Sequence, residues 1–395
     1  MNAMDEVVIL SAVRTPIGKY GKALADIKAT ELGAIAVREA VKRSGIDAKD
    51  AEECIMGNVI SAGLGQNPAR QAALHGGLPV EIGATTVNAV CGSGMKAAMC
   101  AADAIKAGRR SVIVAGGMES MSGAPYLMPG ARWGYKMNDQ AVKDAMVHDG
   151  LWEIFNDMHM GHTAAITAQR CGISRADSDK FSYESHMKAA AAIKNGKFKN
   201  EIVPVTIKQK KGDIIVDTDE GVRDDTTAEA LAKLRPVFRN DGIVTAGNAS
   251  QLSDGGAALV ITSGAYAKEH GLKPLASIVA YGERGVLPEH IMEAPIPTTE
   301  YVLKQAGMKA DDIDLFEHNE AFAAASLAVQ RAFAVPDERF NVNGGAVALG
   351  HPIGCSGARV LTTLVHALID RKKDVGLGTL CLGGGNAVPM IVRRY

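Results

Sequence analysis

Short runs of valine, isoleucine and leucine, bounded by glycine, recur at both ends of the chain. They alternate with longer segments patterned as helices. VVIL at 7–10, the stretch leading to Cys91, SVIVAGG at 111–117 and GLGTLCLGGG at 376–385 read as strands. The landmarks also repeat in order. A helix from near Thr30 to Gly45 is followed by Ala48 and Asp50. A second, from near Thr299 to Gly307, is followed by Ala310 and Asp312, and the shift of 307 − 45 = 262 holds for the Gly45/Gly307, Ala48/Ala310 and Asp50/Asp312 pairs. Val87-Asn88 and Val342-Asn343 come next. Gly-Ser-Gly at 92–94 and Cys355-Ser356-Gly357 are each expected to precede a helix, and two apolar strands run into Gly116-Gly117 and Gly383-Gly384. Matches in one order argue for two structurally similar halves.

Between the halves, roughly 122–250 is richer in Met, His and charge. It is expected to hold helices around 161–195 and a hairpin, IVPVTI and DIIVDT, joined by Lys210-Lys211-Gly212-Asp213. The expected organisation is a first half of 1–121 and 251–273, an inserted loop domain of 122–250, and a second half of 274–395. Long insertions on α/β scaffolds form lids or ligand-binding walls.

Composition narrows the function classes. The 395 residues are 47% hydrophobic, enough for a sizeable core. Lys+Arg of 43 against Asp+Glu of 44 gives no global attraction to nucleic acid or to an anionic membrane. No apolar run is long enough for a transmembrane helix. The start, MNAMDEVVILSA, goes straight into a strand pattern, so no signal or transit peptide is expected. The cysteines at 54, 91, 100, 171, 355 and 381 are scattered and form no CxxC pair. Reduced thiols in a cytoplasmic protein are expected, without a disulfide scaffold or a metal site.

Four segments carry candidate chemistry. In VNAVCGSGMKAAMCAADAIKAG a strand-like stretch ends at Cys91, and an Ala-rich helix is expected from about Met95 to Lys106. That geometry resembles a nucleophile elbow, with the thiol beside a helix N-terminus that favours thiolate. Taken alone, Cys91 reads equally as an inert buried cysteine at a tight turn. In NGGAVALGHPIGCSGAR, His351 stands among glycines and before Pro352, where it can take a thiol proton or simply bond to backbone. In GTLCLGGGNAVPMIV, Cys381 ends an apolar strand near the repeat position of Ala115. Two pseudo-symmetric strand ends can therefore bring Cys91 and Cys381 together, with the 383–385 backbone aiming N–H groups at an oxyanion. In EHNEAFAAASLAVQRAF, Asn319 precedes a helix, where an N-cap is the plainer role and polarising a carbonyl or holding a water the other.

Together VNAVCGSGMKA, NEAFA, GGAVALGHPIGCSGAR and CLGGG resemble the thiolase family, in particular its acetyl-CoA acetyltransferases. SVIVAGGMESMS and GNASQLSDGGAA at 247–258 match as well, and the likeness runs from VILSAVRTPIGKYGKAL onward. The resemblance implies an α/β duplicated fold in five layers, α-β-α-β-α, with the insertion capping the site. It implies reversible condensation of two acetyl-CoA to acetoacetyl-CoA plus CoA, with coenzyme A thioesters as substrates, no cofactor, and a homodimer or homotetramer. Cys91 is then the nucleophile, His351 its base, and Cys381 the acid/base for the second acetyl-CoA. Asn319 holds a water that shares one oxyanion hole with His351, and the N–H groups of Cys91 and Gly383 form the other. Ser250 contacts pantetheine, Arg223 lies near the adenosine phosphates, and Leu151, His159, Met160 and Phe322 border the acyl pocket.

His162, His318 and Asn386-Ala387-Val388-Pro389 depart from the family pattern, which bears on chain length, and the two histidines read as packing residues. Three other functions compete with this one. A condensing enzyme served by acyl carrier protein uses two histidines where this chain has His351 and Cys381. A catalytically dead lipid-binding relative lacks one of the three reactive residues. A cysteine hydrolase releases free acid.

Overall fold

The computed structural model describes residues 6–238 and 242–395. The first five residues, and with them part of the expectation about the chain's start, lie outside that range.

The first half is built from β1 (Val7–Arg14), α1 (Ala29–Ser44), β2 (Glu53–Gly57), α2 (Pro68–His75), β3 (Gly83–Val87), α3 (Ser93–Lys106) and β4 (Val112–Ser120). The inserted segment carries α4 (Met160–Arg170), α5 (Arg175–Lys194) and an antiparallel ribbon, Val205–Ile207 with Ile214–Val216. The chain then returns to the first half through β5 (Ser253–Ser263), which lies between β1 and β4. The second half follows with β6 (Ala276–Tyr281), α6 (Pro295–Ala306), β7 (Leu315–His318), α7 (Ala323–Ala332), α8 (Ile353–Arg371), β8 (Val375–Leu382) and β9 (Asn386–Arg394).

The strands run in the order β7-β8-β9-β6-β1-β5-β4-β2-β3. Antiparallel pairing of β1 with β6, at Val8↔Ser277 and Ile9↔Ala276, joins the two half-sheets into one. Alternation along the strands then assigns the layers, because successive side chains point to opposite faces. Val7, Ile9, Ile113, Leu259 and Ile261 face inward to a core shared with α3, α8 and the inner face of the second half-sheet (Leu380, Val388, Met390). Val8, Leu10, Val114 and Val260 face outward to α1 and α2. Leu377 and Ile391 face outward to the cluster of α6 and α7. Five layers result, with α3 and α8 in the middle. Each fully buried Val, Leu or Ile contributes about 1.5–3 kcal/mol, which is why strands buried on both faces read as unbroken apolar runs.

The repeated landmarks have a physical basis. Gly45 and Gly307 are left-handed C-caps at φ +80 and +65, and each is followed by a 3₁₀ turn, Ala48–Asp50 and Ala310–Asp312. The second helix starts at Pro295, upstream of the expected Thr299, since proline suits the first turn of a helix.

Two expectations need correction. The Gly-Ser-Gly and Cys-Ser-Gly runs do not precede helices. Ser93 opens α3, and Cys355–Gly357 lie inside α8. Their small residues let the two central helices cross in contact. A Cβ at Gly94 would stand 2.6 Å from Ala358 N, and one at Gly357 2.3 Å from Met95 N. Nor does β4 end at Gly116-Gly117. It runs through them, paired at Gly116↔Ala258 and Gly117↔Ala257, and the glycines admit the backbone of Ala257 and Gly354.

Gly94→Ala tests the helix crossing. Alanine gains about 1 kcal/mol in helix propensity. Overpacking against a backbone nitrogen costs about 1–3 kcal/mol or more. The expected net result is a lower urea midpoint, and an unchanged or raised midpoint would show that the crossing is loose.

The insertion is pinned to the body. Arg14 in β1, fully buried, bonds Glu201 at 2.6 Å and Asp219 at 2.6 Å, and its guanidinium lies 5.0 Å from the Phe198 ring. Two charged partners hold the guanidinium above its ordinary pKa despite burial. No described helix is long and apolar enough to cross a membrane.

Candidate active site

A cavity of about 300 Å³ opens where the insertion meets both halves. Cys91, His351 and Cys381 all line it. Cys91 lies 351 − 91 = 260 positions before His351 and Cys381 a further 381 − 351 = 30 beyond it, and they arrive on a turn, a loop and a strand end.

Cys91 follows β3 on a sharp turn. Val90 is held at φ +47, a conformation costly for a β-branched residue. Ser93 locks the turn: its hydroxyl accepts from Ala89 N at 2.9 Å and donates to Val90 O at 2.6 Å. The thiol thus sits two residues ahead of α3. Burial pushes the Cys91 thiol up to about 12, against the pull of two nearby backbone N–H groups, its own and that of Gly383. Those are the donors expected to form an oxyanion hole. Gly383 arrives there because β8 ends at Leu382, whose side chain, with Val388, packs against Gly92.

His351 stands between the turn Ala346–Leu349 and α8. Its Nδ1 lies 2.5 Å from Ser356 Oγ, which itself donates to Pro352 O at 2.9 Å. A hydroxyl has one proton, so Nδ1 carries the ring proton and Nε2 keeps its lone pair. Burial, helped by Arg359, pulls the imidazole down to about 3, so it is neutral at physiological pH. Its Nε2 faces Asn319 Nδ2 at 3.4 Å.

Asn319 is not an N-cap. Phe322 holds that position for α7, and the Asn319 backbone is tied to Thr379 O and Ala321 N. Among the described residues its buried Oδ1 has no hydrogen-bond partner.

Cys381 is buried in β8, with its sulfur 3.7 Å from Met292 Sδ. Burial, then the nearby Cys91, raises its thiol pKa. The Cys91 sulfur acts on Cys381 because both line the same cavity.

Ser250, Leu151, His159, Met160 and Phe322 line the same cavity. His159 Nδ1 accepts from Gly161 N at 3.1 Å, and its ring stacks on Phe238 at 4.5 Å. Burial, then His162, lowers its pKa. Arg223 is elsewhere. It lies against His186, with its N–H 3.1 Å from Nδ1, outside the cavity lining. His162 also stays outside, 5.8 Å from the Phe238 ring. His318 is buried behind the site, bonded to Ser326 at 2.8 Å and stacked on Phe340.

Sequence reasoning missed Met121, Met146, Ile291 and Met292, which complete the apolar walls. Nothing local marks them, since methionine fills irregular gaps that only the assembled fold creates. Among the described residues no group of three His, Cys, Asp or Glu side chains is arranged to hold a metal.

Comparisons with known proteins point one way. The model of the thiolase N-terminal domain matches residues 7–265, and that of the thiolase C-terminal domain matches 272–394. An acetyl-CoA acetyltransferase of Pseudomonas aeruginosa is 51% identical over 392 residues, covering 99% of this chain and all of that protein. A probable acetyl-CoA acyltransferase of Staphylococcus aureus is 49% identical over 393 residues, with the same coverage. The crystal structure of the Bacillus anthracis acetyl-CoA acetyltransferase superposes with a TM-score of 0.97 at 42% identity, covering both chains fully.

Proposed function

The chain belongs to the thiolase family, and on that premise we propose that it is an acetyl-CoA C-acetyltransferase. It joins two acetyl-CoA into acetoacetyl-CoA plus CoA and runs in reverse as a thiolase. The observation that carries this reading is the convergence of Cys91, His351 and Cys381 on one cavity, with the backbone N–H groups of Cys91 and Gly383 close enough to pull on the Cys91 thiol.

The resting pair is a thiol and a neutral imidazole. A thiol near 12 is ionised to only roughly one part in 10⁵ at pH 7, so the thiolate forms as it attacks. His351 Nε2 takes the Cys91 proton, and the sulfur adds to the acetyl-CoA carbonyl. The oxyanion is held by the two backbone N–H groups, the carbon–sulfur bond to CoA breaks, and the acetyl stays on Cys91. CoA departs as the thiolate and is then protonated by Cys381, whose thiolate remains, while His351 keeps the Cys91 proton on Nε2.

A second acetyl-CoA then enters. Cys381, as thiolate, removes a methyl proton. The enolate oxygen is held by His351 and by a water on Asn319. The carbanion attacks the Cys91 thioester, collapse frees acetoacetyl-CoA and the Cys91 thiolate, and His351 returns its proton to that sulfur. Two thiols are needed because an acylated sulfur cannot also be the base.

Ser250 contacts the pantetheine arm, and Arg223 serves the adenosine phosphates from beyond the cavity. The reaction needs no cofactor besides the CoA thioesters. The enzyme works in the cytoplasm as a homodimer or homotetramer.

A second reading, a 3-ketoacyl-CoA thiolase of broader acyl range, is favoured by the walls. Met121, Met146, Met160 and Met292 are flexible side chains that yield to longer groups. Thiolysis kinetics with acetoacetyl-CoA and longer 3-ketoacyl-CoA substrates side by side separate the two. The acetyltransferase reading expects kcat/KM highest for acetoacetyl-CoA. A higher value for longer chains would replace it with the second.

A further inference from the structure

His351 has no regular element of its own, and Gly350 just before it stands at φ +112. A loop residue holds an imidazole in place only if the loop's ends are fixed. Here a buried carboxylate grips each end. Glu320 Oε2 accepts the N–H of Val347 at 3.1 Å on one side of His351. Glu119 Oε2, at the end of β4, accepts the N–H of Gly354 at 2.9 Å on the other.

Both carboxylates gather uncharged donors from separate segments. Glu119 also accepts from Val59 N at 3.0 Å, Ile60 N at 3.2 Å and Asn58 Nδ2 at 2.8 Å. Glu320 also accepts from Ser185 Oγ at 2.7 Å and Asn341 Nδ2 at 2.8 Å. Each is fully buried, and every hydrogen bond found to it among the described residues comes from an uncharged donor. Burying an ion without a counter-ion costs several kcal/mol, and an apolar residue of similar volume packs as well or better. Burial accordingly raises both pKa values, that of Glu119 to about 7. An acceptor-only group with two oxygens has one advantage over such a residue: it draws several N–H groups to one point. Glycines make room for the grip. A Cβ at Gly354 would lie 2.9 Å from Glu119 Oε2, and one at Gly345 2.3 Å from Glu320 Cδ.

We propose that Glu119 and Glu320, one from each half of the molecule, are positioning residues that clamp the His351 loop at both ends and set where Nε2 meets the Cys91 thiol. Neither lines the cavity. The Glu119 charge also bears on Cys91 directly, raising its thiol pKa, but losing that effect would speed alkylation and so cannot mimic the expected slowing. The proposal rests on the reading of His351 as the base for Cys91.

The test needs no CoA. Glu119→Gln and Glu320→Gln keep the shape but turn an amide NH₂ toward N–H donors. The readout is the rate at which iodoacetamide alkylates Cys91 in the full chain, followed by mass spectrometry of its peptide. The expected loss is on the order of 10²-fold, the scale of a displaced general base. Added to His351→Ala, neither substitution slows alkylation further, because the base is already gone. A folded Gln variant that alkylates like wild type overturns the clamp. So does one that slows the His351→Ala background as much as wild type, which is the sign of general distortion.

Should the Gln variants not fold, Asn58→Ala takes one donor from Glu119 and leaves its carboxyl group in place. The same non-additive pattern is expected at smaller amplitude, and an additive or null result there also overturns the proposal. A chain that passes this cycle yet makes no acetoacetyl-CoA keeps the clamp and loses the proposed reaction. One that condenses normally and fails the cycle does the reverse.

Discussion

Cys91→Ser is expected to lower condensation and thiolysis by roughly 10⁴-fold or more, the scale of losing a catalytic nucleophile and about 5 kcal/mol of barrier. The fold has no reason to change, because the hydroxyl is smaller than the thiol and the turn is held by Ser93, not by residue 91. The chemistry does change. An alcohol is a far weaker acid than a thiol, and the neutral His351, pulled down to about 3 by burial, is too weak a base to ionise it. Steady-state assays with acetoacetyl-CoA plus CoA measure the loss, and urea unfolding checks the fold. Turnover within tenfold of wild type would end the assignment of Cys91.

Cys381→Ala is expected to split the reaction in two. Acetylation of Cys91 needs His351 and the two N–H donors, and alanine at 381 leaves all of them in place. One equivalent of CoA per chain should therefore appear as a burst. Condensation should fall by roughly 10²–10⁴-fold, the range for loss of general acid–base catalysis. The side chain is buried against Met292, so deleting one atom also costs about 1 kcal/mol of stability, too little to explain such a loss. Rapid-quench measurement of CoA and acetoacetyl-CoA distinguishes the steps. Normal condensation would place the base elsewhere, and absence of the burst would give Cys381 a part in the first step.

How much of this was legible before folding depends on the range of the interactions. The αL caps at Gly45 and Gly307, and the 3₁₀ turns after them, are set by a few neighbouring residues, so the repeat reads directly off the chain. Strands buried on both faces announce themselves as apolar runs. The Gly-Ser-Gly runs misled because glycine has two uses. At Gly384 it supplies a left-handed turn, φ +85, while at Gly94, Gly116 and Gly357 it removes a side chain where two backbones meet. Only the assembled layers distinguish these. Asn319 looked like a cap because the helix begins just after it. In the fold three more residues intervene, and its amide turns to His351 instead. The motifs did mark Cys91, His351 and Cys381, three residues that share the cavity. Glu119 and Met292 were not marked, since their roles lie in contacts with residues far off in the chain, Gly354 and Cys381.

Mixing the wild-type chain with acetyl-CoA, quenching in acid within one turnover and mapping the peptides by mass spectrometry addresses the nucleophile most directly. A single acetyl group on the peptide carrying Cys91, gained and lost at rates that match turnover, is the expected result. Acetyl on a peptide carrying Cys381 or another cysteine, or full turnover with no acetylated peptide at any time, would contradict it.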